Sequence, residues 1–285
     1  MFVTDEIAEV RKVRWADPAS SWGLVPTMGY LHEGHLALVR AAKAANDYTA
    51  VTIYVNPTQF APTEDLATYP RDLERDLALL RAEGVDLVFT PSDATMYPPG
   101  FQTAVSVTQL AQLLEGASRP DHFAGVALVV AKLFNIIQPT RAYFGQKDYQ
   151  QTVVLRQMVR DLDFNLTLIV CPTVREADGL ALSSRNKYLQ GEARTAALVL
   201  SQSLTAVAQA VQAGERNAER LRAIVRNKIA AEPLARLDYV SVADAKTLAE
   251  LDEVPPAPQG AYEFVVSLAV FIGSTRLIDN LLLRV

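Results

Sequence analysis

Two histidines three residues apart, His32 and His35, stand in the run Pro26-Thr27-Met28-Gly29-Tyr30-Leu31-His32-Glu33-Gly34-His35. An apolar run, Trp22 to Val25, precedes it, and a helical pattern from Leu36 to Ala45 follows. Strand, glycine-bearing turn and helix start together form a geometry that receives an anion on backbone N–H groups at a helix N-terminus. Two imidazoles at that mouth add donors whose charge is adjustable near neutral pH. Gly34 lets a phosphate or an adenine ring come close to the backbone. The run reads as a nucleotide phosphate site. Histidine pairs also bind zinc, but a third ligand would have to come from His122 or from Cys171, and metal is the weaker reading.

Three further clusters carry chemistry. Asn56-Pro57-Thr58-Gln59-Phe60 is a turn signal, yet Asn56 and Gln59 also offer amide donors to a carboxylate or hydroxyl. In Phe144-Gly145-Gln146-Lys147-Asp148-Tyr149-Gln150-Gln151, Lys147 is a compact cation able to stabilise charge on a phosphoryl group. Asp148 suits a helix N-cap. Gln150 and Gln151 both fall in the first helical turn, where only one can face a site. In Asp178-Gly179-Leu180-Ala181-Leu182-Ser183-Ser184-Arg185-Asn186, Gly179 gives a turn, two hydroxyls follow, and Arg185 suits bidentate phosphate contact. That stretch is either a polar hinge loop or a mobile arm that closes over nucleotide. The acidic residues Glu64, Asp65, Asp72, Glu74 and Asp76 read mainly as helix-face charges.

These residues need elements to position them. A chain of 285 residues, 50% hydrophobic and 21% charged, has ample core for about two domains. Its net charge of −5 argues against a nucleic-acid surface, which would need clustered Lys and Arg. Cys171 is the one cysteine, so no intrachain disulfide forms, which suits a reducing cytoplasm. The first fifteen residues are too charged for a secretory signal. The longest apolar segment, Val126 to Ile137, is too short to span a bilayer, so no membrane role is expected.

Up to about Thr173, β-like runs (22–25, 49–55, 85–90, 141–144 and 166–170) alternate with helical ones (35–45, 71–83, 125–137 and 148–162). The alternation predicts an α/β fold with a doubly wound, Rossmann-like parallel sheet and ligands at the carboxyl ends of its strands. The motifs at 26–35, 56–59 and 145–148 fall at those ends. From residue 174 the character changes. A polar stretch at 174–189 leads to a long Ala-rich helix at 192–213 and another helix at 218–231. Short β-like runs at 238–242, 263–271 and 275–283 follow, with a proline-rich loop at 255–258. Residues 1–173 are therefore expected to form the nucleotide- and acid-binding domain. Residues 174–285 are expected to form a smaller α+β domain that carries the Ser/Arg loop.

Taken in order, the motifs resemble the pantothenate synthetase family. The resemblance rests on 26–35, Val55–Phe60, Tyr69-Pro70-Arg71, and Glu115-Gly116 with Arg119-Pro120-x-His122-Phe123-Ala124-Gly125-Val126. It continues through Phe144–Gln151 and Arg175–Asn186, and closes on Thr275-Arg276-Leu277-Ile278-Asp279-Asn280. The family is a nucleotidyltransferase group distantly similar to class I aminoacyl-tRNA synthetases. The resemblance implies ligation of pantoate to β-alanine through a pantoyl adenylate, with release of AMP and pyrophosphate.

It further implies a role for each matching residue. His35 is a proton donor, with His32 beside it on the phosphates. Met28, Gly29, Tyr30, Leu31, His32, Glu33, Gly34 and His35 line the ATP site. Gly145, Gln146, Lys147 and Asp148 hold the nucleotide, Asp148 through ribose and Lys147 at phosphate. Val174, Leu182, Ser183, Ser184 and Arg185 complete that site. Gln59 contacts pantoate and β-alanine and Gln151 contacts pantoate, with Asn56 and Tyr69 nearby. Asp76 is the candidate ligand for the Mg²⁺ that accompanies ATP. A cytoplasmic homodimer is implied, with no nucleic-acid or membrane partner. One departure stands out: Gln146 replaces the glutamate common in the family, which removes a charge but keeps length and hydrogen bonding. The rival readings are a nucleotidyltransferase that joins a nucleotide to a phosphate acceptor, and an ATP sensor without turnover.

Overall fold

The computed structural model describes residues 1–62, 64–256 and 260–285. Of the expected proline-rich loop, Ala257 and Pro258 lie outside the described residues. The elements of the first unit are β1 (Phe2–Thr4), α1 (Ile7–Arg14), β2 (Trp22–Thr27), α2 (Glu33–Ala45), β3 (Tyr48–Ile53), α3 (Leu73–Ala82) and β4 (Leu87–Phe89). Next come α4 (Asp93–Met96), α5 (Glu115–Ser118), α6 (His122–Ile137), β5 (Arg141–Gly145), α7 (Tyr149–Asp161) and β6 (Thr167–Cys171). Among the described residues, six strands form one sheet in the order β1-β4-β3-β2-β5-β6, all parallel.

Neighbouring strand residues go to opposite faces, and here both faces are covered. Leu24, Ala50, Leu87 and Ala142 pack with α6 residues such as Val130 and Phe134. Their neighbours Val25, Val51, Val88 and Tyr143 pack with Leu36 and Val39 of α2 and Leu80 of α3. This explains why these strands read as continuous apolar runs and not as alternating ones. The burial of α6 extends nearly all round, and the helix stops at Gln138 in a left-handed conformation (φ 49°) just before Pro139. The doubly wound parallel sheet expected from the alternation is therefore present. Two elements in the first fourteen residues, β1 and α1, were not anticipated. β1 adds an edge strand beside β4, and α1 is short, with Val10 and Arg14 as its buried residues.

The second unit contains α8 (Glu192–Ala196), α9 (Val199–Gln212), α10 (Ala218–Ala230), β7 (Ala235–Asp244), β8 (Glu263–Ile272) and β9 (Thr275–Arg284). The strands form an antiparallel sheet in the order β7-β8-β9, joined to the helices by an apolar core that includes Leu204, Val207, Leu221 and Val266. The single helix expected at 192–213 is two helices. At the break, Leu198 and Leu200 donate to carbonyls three residues back, a tighter turn than an α-helix makes. By its packing the chain divides into residues 1–146 with 150–172, and residues 147–149 with 173–285. Lys147 and Asp148 thus pack with the later residues, although they follow β5 in sequence.

Candidate functional site

At the end of β2, the turn 28–35 is held from two directions. Gly29 (φ 83°) and Tyr30 (φ 50°) are both left-handed, an arrangement that costs free energy at Tyr30. The cost is offset by Asp76 of α3, whose two carboxylate oxygens accept the N–H groups of Tyr30 and Leu31, each at 2.7 Å. A Cβ at Gly29 would lie 3.1 Å from that carboxylate and 3.0 Å from Ile53. Burial pushes the Asp76 carboxyl above its ordinary range, against the pull of the two N–H donors. Arg75 lies over the Tyr30 ring, 5.4 Å from its centroid.

The head of α2 is capped by the histidines themselves. His32 Nδ1 accepts the N–H of Gly34 at 3.1 Å, and His35 Nδ1 accepts the N–H of His32 at 3.3 Å. The N–H groups of His35 and Leu36 both donate to His32 O. The donors at the helix start are thus largely engaged within the turn, which also presents the two rings. With both Nδ1 atoms accepting, each neutral imidazole carries its proton on Nε2. The rings lie 4.1 Å apart. Glu33 is paired with Arg40.

A second cluster of the same unit contains the amide residues. Gln59 Nε2 donates to Met28 Sδ at 3.3 Å, which joins the Asn56–Phe60 motif to the histidine turn. Asn56 is buried, and its contacts are structural. Its amide nitrogen donates to Gly125 O and Gln59 Oε1, and its oxygen accepts from Tyr97 OH and Thr58. Asn56 thus orients Gln59 and caps the short helical turn Pro57–Gln59. Gly125 of α6 makes this possible, since a Cβ there would come within 2.4 Å of Thr58 O. Tyr69 is buried and packs edge-on against Phe60 at 5.8 Å. The backbone carbonyl of Gln59 is fixed by His122 Nδ1 at 2.9 Å and by Arg119 Nη2 at 3.3 Å. Arg119 also forks onto Glu64 with two contacts of 2.6 Å. Burial first, then Arg119, pushes the His122 imidazole down to about 4, which keeps it neutral.

Packing separates Gln150 from Gln151. Gln150 is buried and tied to Glu115 N, Leu110 O and Leu113 O. Gln151 is half-buried. Gly145 ends β5, and a Cβ there would meet nothing within 4 Å. Gln146 is half-buried at the start of the short helical turn 146–148.

In the second unit, Lys147 Nζ lies 3.8 Å from Asp148 Oδ1. Its carbonyl accepts from Asn280 Nδ2 at 2.8 Å, and Tyr149 OH donates to Ala245 O at 2.8 Å. The stretch 174–189, expected to be polar and loop-like, is a small hairpin followed by a helical turn. Leu182 N donates to Val174 O at 3.0 Å, Arg175 bridges to Ala181, and Gly179 (φ 96°) makes the bend. Ser183 Oγ accepts from Arg185 N and caps the turn Ser184–Tyr188.

A profile described as pantoate-beta-alanine ligase matches residues 2–282. The chain belongs to the pantoate-beta-alanine ligase family. It is 59% identical to the pantothenate synthetase of Roseiflexus castenholzii over 284 residues, with 100% of each chain covered. It is 58% identical to that of Chloroflexus aurantiacus, covering 100% of this chain and 99% of the relative. Among solved structures, it resembles pantothenate synthetase from Thermus thermophilus, with a TM-score of 0.92, 47% identity and 99% of each chain covered. It also resembles pantoate-beta-alanine ligase from Francisella tularensis, solved with beta-gamma ATP and beta-alanine. That likeness has a TM-score of 0.78 and 35% identity, and covers 99% of this chain and 97% of that one.

Asp76, the expected magnesium ligand of this pantoate-beta-alanine ligase, is only 1% exposed, and both of its oxygens accept backbone N–H groups of the histidine turn. Among the described residues, no group of three or more His, Cys, Asp and Glu side chains could hold a metal ion. Sequence reasoning also missed the role of Asp76 as the clamp on Tyr30 and Leu31. It passed over Arg119 and His122 as anchors of Gln59, although both lie in a motif that carried the resemblance. No described helix is long and apolar enough to cross a membrane.

Proposed function

We propose that this chain catalyses the ATP-dependent ligation of (R)-pantoate to β-alanine, releasing AMP and pyrophosphate. The pantoate carboxylate attacks the α-phosphorus of ATP, forming pantoyl adenylate and expelling pyrophosphate. The β-alanine amine then attacks the activated carbonyl, and the C–O bond to AMP breaks as the amide forms. A carboxylate is a poor acceptor for an amine because its oxygen leaves badly; adenylation supplies a stable leaving group.

The observation that carries the reading is the paired-histidine turn, in a chain matched to the family from residue 2 to residue 282. In this reading the Nε2 protons of His32 and His35 face phosphate oxygens, and His35 is the proton donor. Lys147 and Arg185 neutralise charge that develops on the phosphates, with Ser183 and Ser184 as further donors. Met28 through Gly34, Gly145, Gln146, Val174 and Leu182 line the nucleotide, and Asp148 takes the ribose. Gln59 orients pantoate and β-alanine, and Gln151 orients pantoate. Asn56 and Tyr69 act by holding Gln59 and Phe60 in place. Magnesium arrives as part of the ATP substrate, with Asp76 as its candidate protein ligand. The protein is proposed to work in the cytoplasm as a homodimer, which light scattering of the purified chain checks.

The test is pantoate-dependent exchange of labelled pyrophosphate into ATP. The ligase exchanges label only when pantoate is present. Exchange that requires a phosphorylated acceptor instead would establish the rival nucleotidyltransferase, and a sensor would show no exchange at all.

A further inference from the structure

Two polar side chains interrupt the apolar strand β9. In Leu277-Ile278-Asp279-Asn280-Leu281-Leu282-Leu283, Asp279 and Asn280 sit side by side, each 3% exposed. Adjacent strand residues face opposite sides of a sheet, so polar groups are buried on both. Such burial costs free energy unless the groups are hydrogen-bonded, and apolar side chains of similar volume would serve a core at least as well.

Their partners lie far away in sequence. Asn280 Nδ2 donates to the carbonyl of Lys147 at 2.8 Å. Asp279 takes both terminal nitrogens of Arg175, at 2.7 and 2.9 Å. The same Arg175 Nη1 donates to Gly179 O at 3.0 Å, across the bend of the hairpin that leads into Ser183. Asn280 N in turn donates to Asp279 Oδ1 at 2.8 Å, which couples the two residues. Neighbouring residues on one strand therefore register two separate segments, the one with Lys147 and the one that leads to Ser183, Ser184 and Arg185.

We propose that Asp279 and Asn280 are positioning residues for the phosphate chemistry: Asn280 sets the main chain of Lys147, and Asp279, through Arg175, sets the hairpin that presents Ser183, Ser184 and Arg185. The inference rests on the reading of Lys147 and Arg185 as phosphate-binding groups. Displacing a reacting group by about 1 Å can lower a rate about a hundredfold, whereas a purely structural role would lower every activity in proportion to the folded fraction.

The decisive experiment is a double-mutant cycle on the full-length protein. Asn280→Ala is made alone and with Lys147→Ala, and the turnover of pantoate-dependent pyrophosphate exchange is measured beside the thermal midpoint. Turnover should fall about a hundredfold for Asn280→Ala alone and less than about threefold further in the Lys147→Ala background. Equal losses in both backgrounds would overturn the inference and leave the role of Lys147 standing. Near-normal exchange by Lys147→Ala alone would overturn the reading of Lys147 and the inference with it. Should Asn280→Ala fail to fold, Arg175→Lys decides. It keeps the charge, loses the fork onto Asp279, and should lower turnover about tenfold, with the loss vanishing in an Arg185→Ala background. A folded Arg175→Lys variant with normal turnover, or one whose loss is the same in both backgrounds, would sink the proposal.

Discussion

The histidine turn in the first unit and the Lys147 segment in the second are anchored differently. His32 caps Gly34, His35 receives His32, and Asp76 reaches in from 45 and 46 residues away. Lys147 and the 175–181 hairpin are held by side chains of β9, at sequence separations of 133 and 104 residues. The first arrangement makes the turn rigid through its own side chains, so a change of one ring disturbs both the cap and the chemistry. The second grips the main chain at Lys147 and the bend of the hairpin at Gly179 from a distant strand. A local device and a remote one thus serve the same demand for preorganised donors, and substitutions should separate them.

The largest expected effect is on turnover. Lys147→Ala should remove about 2.7–4 kcal/mol of transition-state stabilisation, a loss of roughly a hundred- to a thousandfold in adenylation. Its thermal midpoint should barely move, because the β9 contact to residue 147 is made by a main-chain carbonyl. His35→Ala should lose comparable rate and also stability, since its Nδ1 is part of the helix cap. A Lys147→Ala variant with an unchanged exchange rate would break the comparison outright.

Next is an effect of acidity on the first unit. His122 is neutral in both states above pH 6.5, the ordinary value of its side chain. Between there and about 4, the unfolded chain takes up a proton that the folded chain refuses. Stability is therefore lost as pH falls through this window, by about 2 kcal/mol on going from about pH 7 to about pH 4.5. Urea unfolding at the two values measures it, and His122→Gln should show a shallower loss than the parent. An identical loss would mean that His122 is not the buried base described here.

Gly125→Ala tests the seat of the amide turn, and should cost about 1–3 kcal/mol as Thr58 is forced away. The Michaelis constant for pantoate should rise with it, while exchange turnover at saturation changes less. Arg40, half-exposed and paired with Glu33 and Glu83, marks the small end. Arg40→Ala should leave stability nearly unchanged, because solvent screens exposed pairs. A larger change, read by the same unfolding titration, would mean that Glu33 takes part in holding the turn.

The same contrast explains what could be read from the residues alone. The parallel sheet was legible because both of its faces are buried and its strands are continuous apolar runs, as at Leu24-Val25 and Leu87-Val88. The position of the histidine turn and of the Gln59 turn after strand ends was legible from the motifs. The capping by Nδ1 was not, because residue type does not say which ring nitrogen meets the backbone. Asp76 looked like one helix-face acid among several. Only the path of the chain brings its carboxylate under Tyr30 and Leu31, where it clamps the turn. The division of a helix at 197–198 was likewise hidden, since Ala-rich sequence favours helix on both sides of the break.

Gly125 has a bearing on redesign. Efforts to make this catalyst accept bulkier acids would naturally enlarge the space around Gln59. Because the carbonyl of Thr58 rests directly on the bare Cα of α6, that floor cannot be raised or lowered by side-chain choice. Any altered acceptor preference must instead be sought in side chains around the rim, with the helix residue left untouched.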